Sequence, residues 1–589
     1  MCLKVDELER EIVKTDATLP SPRAGALRRF RPFVMPAGVV IGVFALVTWA
    51  ASHPGIDAPG EVPSDVSDVV ARADAHLQDR WQKQTWNGQP LQPAKPAGDL
   101  VVLRRLSLAL HGTVPSLEEI RQFEADEKPD RLQRWTVRLL EDDRFATYFA
   151  ERLARGYVST EGGTFVLYRR DRFTSWLRSQ LKNNTPYDAV VRKIISSTGL
   201  WTGTPSTNFM TYAYNEGKFD VNKLTGRTVR AFLGQRFDCA QCHDHPFDDR
   251  WKQHHFEGLA AYYGQARLSA FGVEDREYEK KEPIEYVIKD RETLEERVAK
   301  PGVPFHPEWL PEEGTRREKL AAWITHPKNR RFERATVNRV WALLFGRPYT
   351  YPHYPVDDIP DPDQRDEKCD TKLLDILGSD FREHDYDLRR LILAITSTRA
   401  FRLSFAHPAD RPADSADQVA AIKKHVTKLE HNWAVFPLTR LRPEQIIGSM
   451  IQTNSVRTID LDSNLFVRFV RAIREQGFIE EYGDPGGEEL VETAGTIPQS
   501  LLRMNGKLSN EVLQATPFSA AGRIASLSGS DENCLESCFL VVFGRRPNNE
   551  ERQNWLPRLS EAKNDDQRKR IVEDLYWAMF NSPEFSWNH

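Results

Sequence analysis

Apolar residues recur along most of this chain at the three- and four-residue spacing that puts them on one face of a helix. In "SDVSDVVARADAHLQDRW" the positions Val66, Val69, Val70, Ala73, Leu77 and Trp81 keep that period. "DRLQRWTVRLLEDD" sets Leu132, Trp135, Leu139 and Leu140 along one stripe, and "DTKLLDILGSDF" and "DLRRLILAITS" repeat the pattern. In "VPSLEEIRQF" a helix is predicted to start at Ser116, with Glu119 three residues on to complete a capping box. The rhythm breaks in the charged stretch from Glu274, where "IEYVI" is the best strand candidate and the rest reads as a solvated connector. The expected fold class is mainly α: a multi-helical two-domain body with a small β/irregular connector, following an N-terminal transmembrane helix.

One pattern occurs twice. "GTVPSLEE" from Gly112 and "GRRPNNEE" from Gly544 share the spacing G-x-x-P-x-x-E-E, each between two apolar helices. Glycine can end a helix in the left-handed conformation, proline sets the turn, and the acids meet the positive end of the next helix. Both copies predict a helix–turn–helix corner capped by Ser116 or Asn548, whether by duplication or by convergence on the same capping chemistry.

The transmembrane element is "FVMPAGVVIGVFALVTWAA", residues 33–51, nineteen residues without a charge. That length just crosses a bilayer at about 1.5 Å per residue. Arg23, Arg28, Arg29 and Arg31 precede it and Asp57, Glu61 and Asp65 follow it. The basic flank keeps residues 1–32 in the cytoplasm and exports the rest, giving a single-pass protein of the inner (cytoplasmic) membrane with its bulk periplasmic or extracytoplasmic. A cleaved signal peptide is the alternative, with "AAS" at 50–52 as the processing site. Its n-region would be unusually long, which favours the uncleaved anchor. A Pro/Gly-rich linker and one helix fill residues 52–94.

Composition adds mainly exclusions. With 40% hydrophobic and 28% charged residues the chain can bury a sizeable interior, and 589 residues are too many for one core. A formal charge of −4 supplies no field for nucleic acid. Six cysteines are too few for a disulfide scaffold, and Cys534 and Cys538 share a helical face where packing is the usual role.

The chemistry is crowded into "RFDCAQCHDHPFDDRW", which begins at Arg236. Cys239-Ala-Gln-Cys242-His243 is a C-x-x-C-H motif. Covalent haem attachment needs two thiols about one turn apart for the two vinyl groups, and an imidazole beside them for the iron. Haem c is therefore the expected cofactor, with Cys239 and Cys242 attached and His243 as proximal ligand. The export argument agrees, since in bacteria that attachment takes place outside the cytoplasm. Zinc is the alternative, held by Cys239, Cys242 and two of His243, His245, His254 and His255. Adjacent residues rarely reach one ion, which disfavours Cys242 with His243. A Cys239–Cys242 disulfide is the third possibility in an oxidising compartment. His245, before Pro246, sits where a helix should end and can cap it. His255 falls on one face with Trp251, Leu259 and Tyr263, as a second ligand or a packed core residue. Met210 in "TNFMTY" is the nearby methionine, with a packing role as its simpler reading.

"CAQCHDHPFDDRW" followed by "FEGLAAYYG" resembles the signature of a cytochrome-type domain of unknown function expanded in planctomycetes. "LRRLSLALHGTVPSLEEIRQF", "TPYDAVVRKIISSTG" and "LTGRTVRAFLG" are similar to the rest of that domain. "RREKLAAWITHPKNRRFERATVNRVWALLFGR", "DLRRLILAITSTRAFRLS" and "VVFGRRPNNEE…LYWAMFNSPEF" resemble the planctomycete-specific domain that usually follows. The resemblance covers nearly everything from about residue 95 onward. It implies a cytochrome-type domain over 95–268, a charged connector over 269–310 and a helical planctomycete-specific domain over 311–589. It also implies an exported protein found beside secreted sulfatase-like proteins. His254 and His255 depart from the family, which usually shows acidic or polar residues there. "EKCDTKLLD" lacks the family's usual His-Pro pair.

Two further groups have packing or solvation as the simpler reading. Asn338, Arg339, Trp341 and Arg347 in "NRVWALLFGR" could bind an anion or fix a helix end. "DDIPDPDQRDE" lacks the central glycine and closing glutamate of a helix–loop–helix calcium site and reads as a solvated acidic loop. No phosphate loop, G-x-S-x-G, H-E-x-x-H or G-x-G-x-x-G occurs, so no reaction is named. The expected function is electron transfer or redox support by a membrane-anchored, c-type-haem-binding protein with an unidentified redox partner, tied on the resemblance alone to extracytoplasmic polysaccharide metabolism. The alternative is a structural or binding protein with zinc or a disulfide at Cys239/Cys242 and no redox turnover.

Overall fold

The predicted helical stripes form helices and face inward. In Val66–Lys83 the residues Val66, Val69, Ala73, Leu77 and Trp81 are buried, and in Arg131–Glu141 so are Leu132, Trp135, Leu139 and Leu140. The computed structural model describes residues 60–589, apart from 161–166, 245–250, 290–293, 365, 409–414, 460–478, 480, 484–489 and 491–494. The described chain is mainly helical, 58% in 24 helices, with twelve short strands that pair only two by two. The expected membrane span, 33–51, lies outside the described residues. Among those residues no helix is long and apolar enough to cross a membrane.

Both repeated corners take the geometry their shared spacing demands. Asp99–His111 ends at Gly112 with φ 70°, and Asp531–Phe543 ends at Gly544 with φ 66°, each donating its N–H four residues back. Glycine is favoured there because an L side chain strains in the left-handed region. At Ser116 the hydroxyl accepts the Glu119 N–H at 3.0 Å and Glu119 accepts the Ser116 N–H at 2.9 Å. Asn548 and Glu551 exchange the same pair of bonds at 2.9 and 2.7 Å. The other oxygen of each glutamate meets an arginine, Arg144 for Glu119 and Arg545 for Glu551. The corners lie side by side, tied by Arg546 to Glu124 at 2.7 Å and Arg121 to Glu536 at 3.5 Å.

Residues 58–589 make one compact unit. Its larger apolar interior takes residues from Val66 to Phe436 together with Leu540, and a second one gathers residues between Leu441 and Phe585 around Leu108 and Val114 of the first corner. The long buried helix Arg330–Phe345 runs through the larger interior.

The connector holds more strand than expected. Tyr286–Lys289, within and just past "IEYVI", pairs antiparallel with Glu296–Ala299. Two further hairpins precede it, Ala266–Ser269 with Gly272–Asp275 and Tyr278–Glu279 with Glu282–Pro283. The second turns at Lys280 and Lys281, both with positive φ (50° and 75°). Such a turn normally announces itself by Asn-Gly or Asp-Gly, and a Lys-Lys turn gives no such signal. The connector is also clamped rather than merely solvated. Buried Arg317 grips Asp275 at 2.8 and 2.9 Å and donates to the carbonyls of Ile195 and Ser197.

Candidate functional site

The Cys239 segment is a loop pinned at both ends. Helix Val221–Thr228 widens into a π-helical turn over Val229–Leu233 and stops at Gly234, whose φ is 59°. Phe237 is fully buried and packs edge-to-face on Trp251 at 4.6 Å and beside Phe256 at 5.5 Å, joining the start of the loop to its return. Arg230 holds Asp238 at 2.6 Å, Arg236 holds Asp357 at 2.8 Å, and the Gln235 amide donates to Asp358 at 2.8 Å. On the return side Asp244 accepts the Gln253 N–H at 2.8 Å where helix Gln253–Ala261 begins.

Between these anchors Asp238–Gln241 forms a single 3-10 turn, and the Cys242 N–H donates to the Cys239 carbonyl at 3.1 Å. Cys239 is half-buried, Cys242 is exposed, and neither is in a disulfide. Burial pushes the Cys239 thiol above its ordinary pKa. His243 is exposed, with its Nδ1 2.7 Å from the Asp244 carbonyl. A carbonyl only accepts, so Nδ1 carries the hydrogen and Nε2 of the neutral ring keeps the lone pair that a metal takes.

The remaining candidates sit apart in role. His245 lies outside the described residues. His255 is half-buried and its Nδ1 accepts the Lys252 N–H at 3.2 Å, engaging that lone pair at the helix start. Trp251, Leu259 and Tyr263 of the same stripe are buried. His254 is exposed, its ring 4.0 Å from that of His255. Met210 is fully buried in the larger interior. Among the described residues no three His, Cys, Asp or Glu side chains converge as a metal shell needs.

Asn338 and Trp341 are fully buried, and Arg347 bonds Glu430 and the Leu438 carbonyl, which is a packing role. The acidic loop is not simply solvated. Asp357 and Asp358 brace the Cys239 loop, and Asp361 pairs with Arg331. Those braces, with Asp238 and Arg230, are the site residues that sequence reasoning missed. Their partners lie more than a hundred residues away or look like ordinary surface charges.

A model of PSCyt2, a protein family of unknown function (DUF1549), matches residues 77–267, and one of PSD1, likewise of unknown function (DUF1553), matches residues 316–558. The chain carries both domains, in that order. They are the planctomycete pair that the sequence resembles, and the Cys239–His243 turn falls inside the PSCyt2 match. The corner at Gly112 belongs to the PSCyt2 match and the one at Gly544 to the PSD1 match, so the contacts between corners join the two domains. No curated protein and no solved structure matches the chain.

Proposed function

We propose that the protein is an extracytoplasmic electron-transfer protein carrying a c-type haem on the Cys239–His243 turn, tethered to the inner membrane by residues 33–51. The observation that carries this reading is the state of the turn. Two free thiols lie three residues apart in and just after it, and the next imidazole has its Nδ1 hydrogen held by the Asp244 carbonyl. That donor set fits haem c. Cys239 and Cys242 would form the thioether links, and His243 Nε2 would ligate the iron. A haem bound there supplies a one-electron Fe(III)/Fe(II) couple. The chain's own part is to hold the ligand set still. Asp244 orients His243, the Arg230–Asp238 and Arg236–Asp357 pairs hold the turn on the body, and Phe237 with Trp251 keeps water from its underside.

The test is purification of the full chain from cells with an active haem-attachment system. The expected result is a Soret band, haem staining that survives a denaturing gel, and added mass on the peptide holding Cys239 and Cys242. His243→Ala should change the iron's spectrum while leaving the covalent link in place. Colourless protein with an unmodified peptide overturns the reading and leaves an exported helical scaffold.

A further inference from the structure

Beside the second interior lie two arginines that meet no carboxylate among the described residues. Arg440 ends the strand Thr439–Arg440, and Arg503 stands in the last turn of helix Ile497–Asn505. Buried arginines elsewhere are paired, Arg144 with Glu119, Arg152 with Glu444, Arg317 with Asp275 and Arg390 with Asp380. Arg105 donates instead to the carbonyls of Phe401 and Leu403, at 2.9 and 2.7 Å. Arg503 has neither kind of partner for its inner face. It is 9% exposed, yet its buried Nε and Nη1 have no acceptor. Leaving a buried charge and its N–H groups unanswered is costly.

The two arginines share one neighbour, Tyr482, which is 4% exposed. Its hydroxyl accepts from Arg440 at 3.3 Å, and its carbonyl accepts the Gln499 amide at 2.9 Å, which ties it to the helix that carries Arg503. Burial lowers the Arg503 pKa, the Tyr482 phenol raises it, and the Arg440 charge lowers it again. The two cations are therefore within electrostatic reach of each other. Gly495 walls Arg440 in, because a Cβ there would run into the guanidinium. Arg440 is thus held where it stands.

This pair of charges selects a ligand. A guanidinium fork matches the oxygens of an oxyanion two at a time. A carboxylate would answer one of the two charges, whereas a doubly charged oxyanion answers both and relieves their repulsion.

We infer that Arg440 and Arg503, set beside Tyr482, bind a doubly charged oxyanion, either a phosphate group or inorganic sulfate. The site uses no residue of the Cys239 turn, so it stands or falls separately from the haem. Thermal unfolding of the full chain tests it, with inorganic phosphate, glycerol 3-phosphate, sulfate or acetate added at constant ionic strength. At about pH 8 the phosphates are doubly charged. The expected result is a midpoint that rises along a saturating curve with at least one dianion below ~10 mM and does not rise so with acetate. Which dianion saturates separates a phosphate group from sulfate. Sulfate also stabilises proteins by exclusion from their surface, but that effect does not saturate and survives in the variants. Arg503→Met should abolish the saturating rise, and Arg440→Gln should weaken it about tenfold. Should Arg503→Met fail to fold, Arg440→Gln carries the test. No saturating rise with any dianion, an equal rise with acetate, or an undiminished rise in either variant overturns the assignment.

Discussion

Gly226 shows how closely single residues control the candidate site. A Cβ there would lie 2.2 Å from Asp238 Oδ1, in the space that lets Asp238 reach Arg230 and dock the Cys239 turn. Gly226→Ala should therefore push the partly exposed Asp238 side chain off Arg230, while the alanine favours the helix by about 1 kcal/mol, so overall stability should change little. Denaturant unfolding checks this. Alkylation of the haem-free protein followed by mass spectrometry measures the loosening. In the native chain exposed Cys242 should react well before half-buried Cys239, and in Gly226→Ala the gap should narrow. Of this arrangement the C-x-x-C-H letters were legible because that spacing is local in sequence. The Asp238 and Asp357 braces were not, because nothing local distinguishes a bracing carboxylate from a solvated one.

Between elements, one buried electrostatic join is that of helix Asp143–Val158 with helix Pro443–Thr453. Glu444 is 7% exposed and meets Arg152 at 3.0 Å and Arg155 at 2.7 Å. Burial opposes its charge, but the two arginines outweigh burial and hold the carboxyl down at about 2. The unfolded carboxyl titrates near 4.5, so on acidification the unfolded chain takes up the proton first. The stabilisation, about 3 kcal/mol, is fully present above about pH 5 and is lost as the pH falls toward 2. Glu444→Gln should lower stability at pH 7 by about 3 kcal/mol, since it removes the carboxylate charge that buried Arg152 and Arg155 share. Its deficit relative to the native chain should shrink as the pH falls across that window. Unfolding curves at several pH values test both points; a deficit that does not change with pH contradicts the assignment. The helices themselves were foreseeable from apolar period and caps. The Lys280–Lys281 hairpin was not, because its turn residues lack the usual chemistry.

At the scale of the molecule, the apolar interior does not respect the division between the two domain matches. Val66–Lys83 packs on Lys372–Glu383, the Trp81 indole donates to the Asn432 carbonyl at 2.8 Å, and Arg80 bonds Tyr349 at 2.9 Å. Leu108 and Val114 complete the second interior, which is otherwise built from residues 441–585. A fragment of residues 60–310 would expose these faces. It should lack near-ultraviolet circular dichroism and aggregate, whereas the full chain should give a cooperative transition. A fragment that unfolds cooperatively by itself contradicts this.

Sequence by itself determined the helices, the two capped corners and the position of the C-x-x-C-H motif, because apolar period, capping and motif spacing all act within a few residues. Only the tertiary structure decided which carboxylates brace that turn, that the two corners lie against each other, and that aromatic and charged residues from four separate segments form a cleft. Those outcomes depend on partners brought together by burial across tens to hundreds of residues, and no local pattern encodes such pairings.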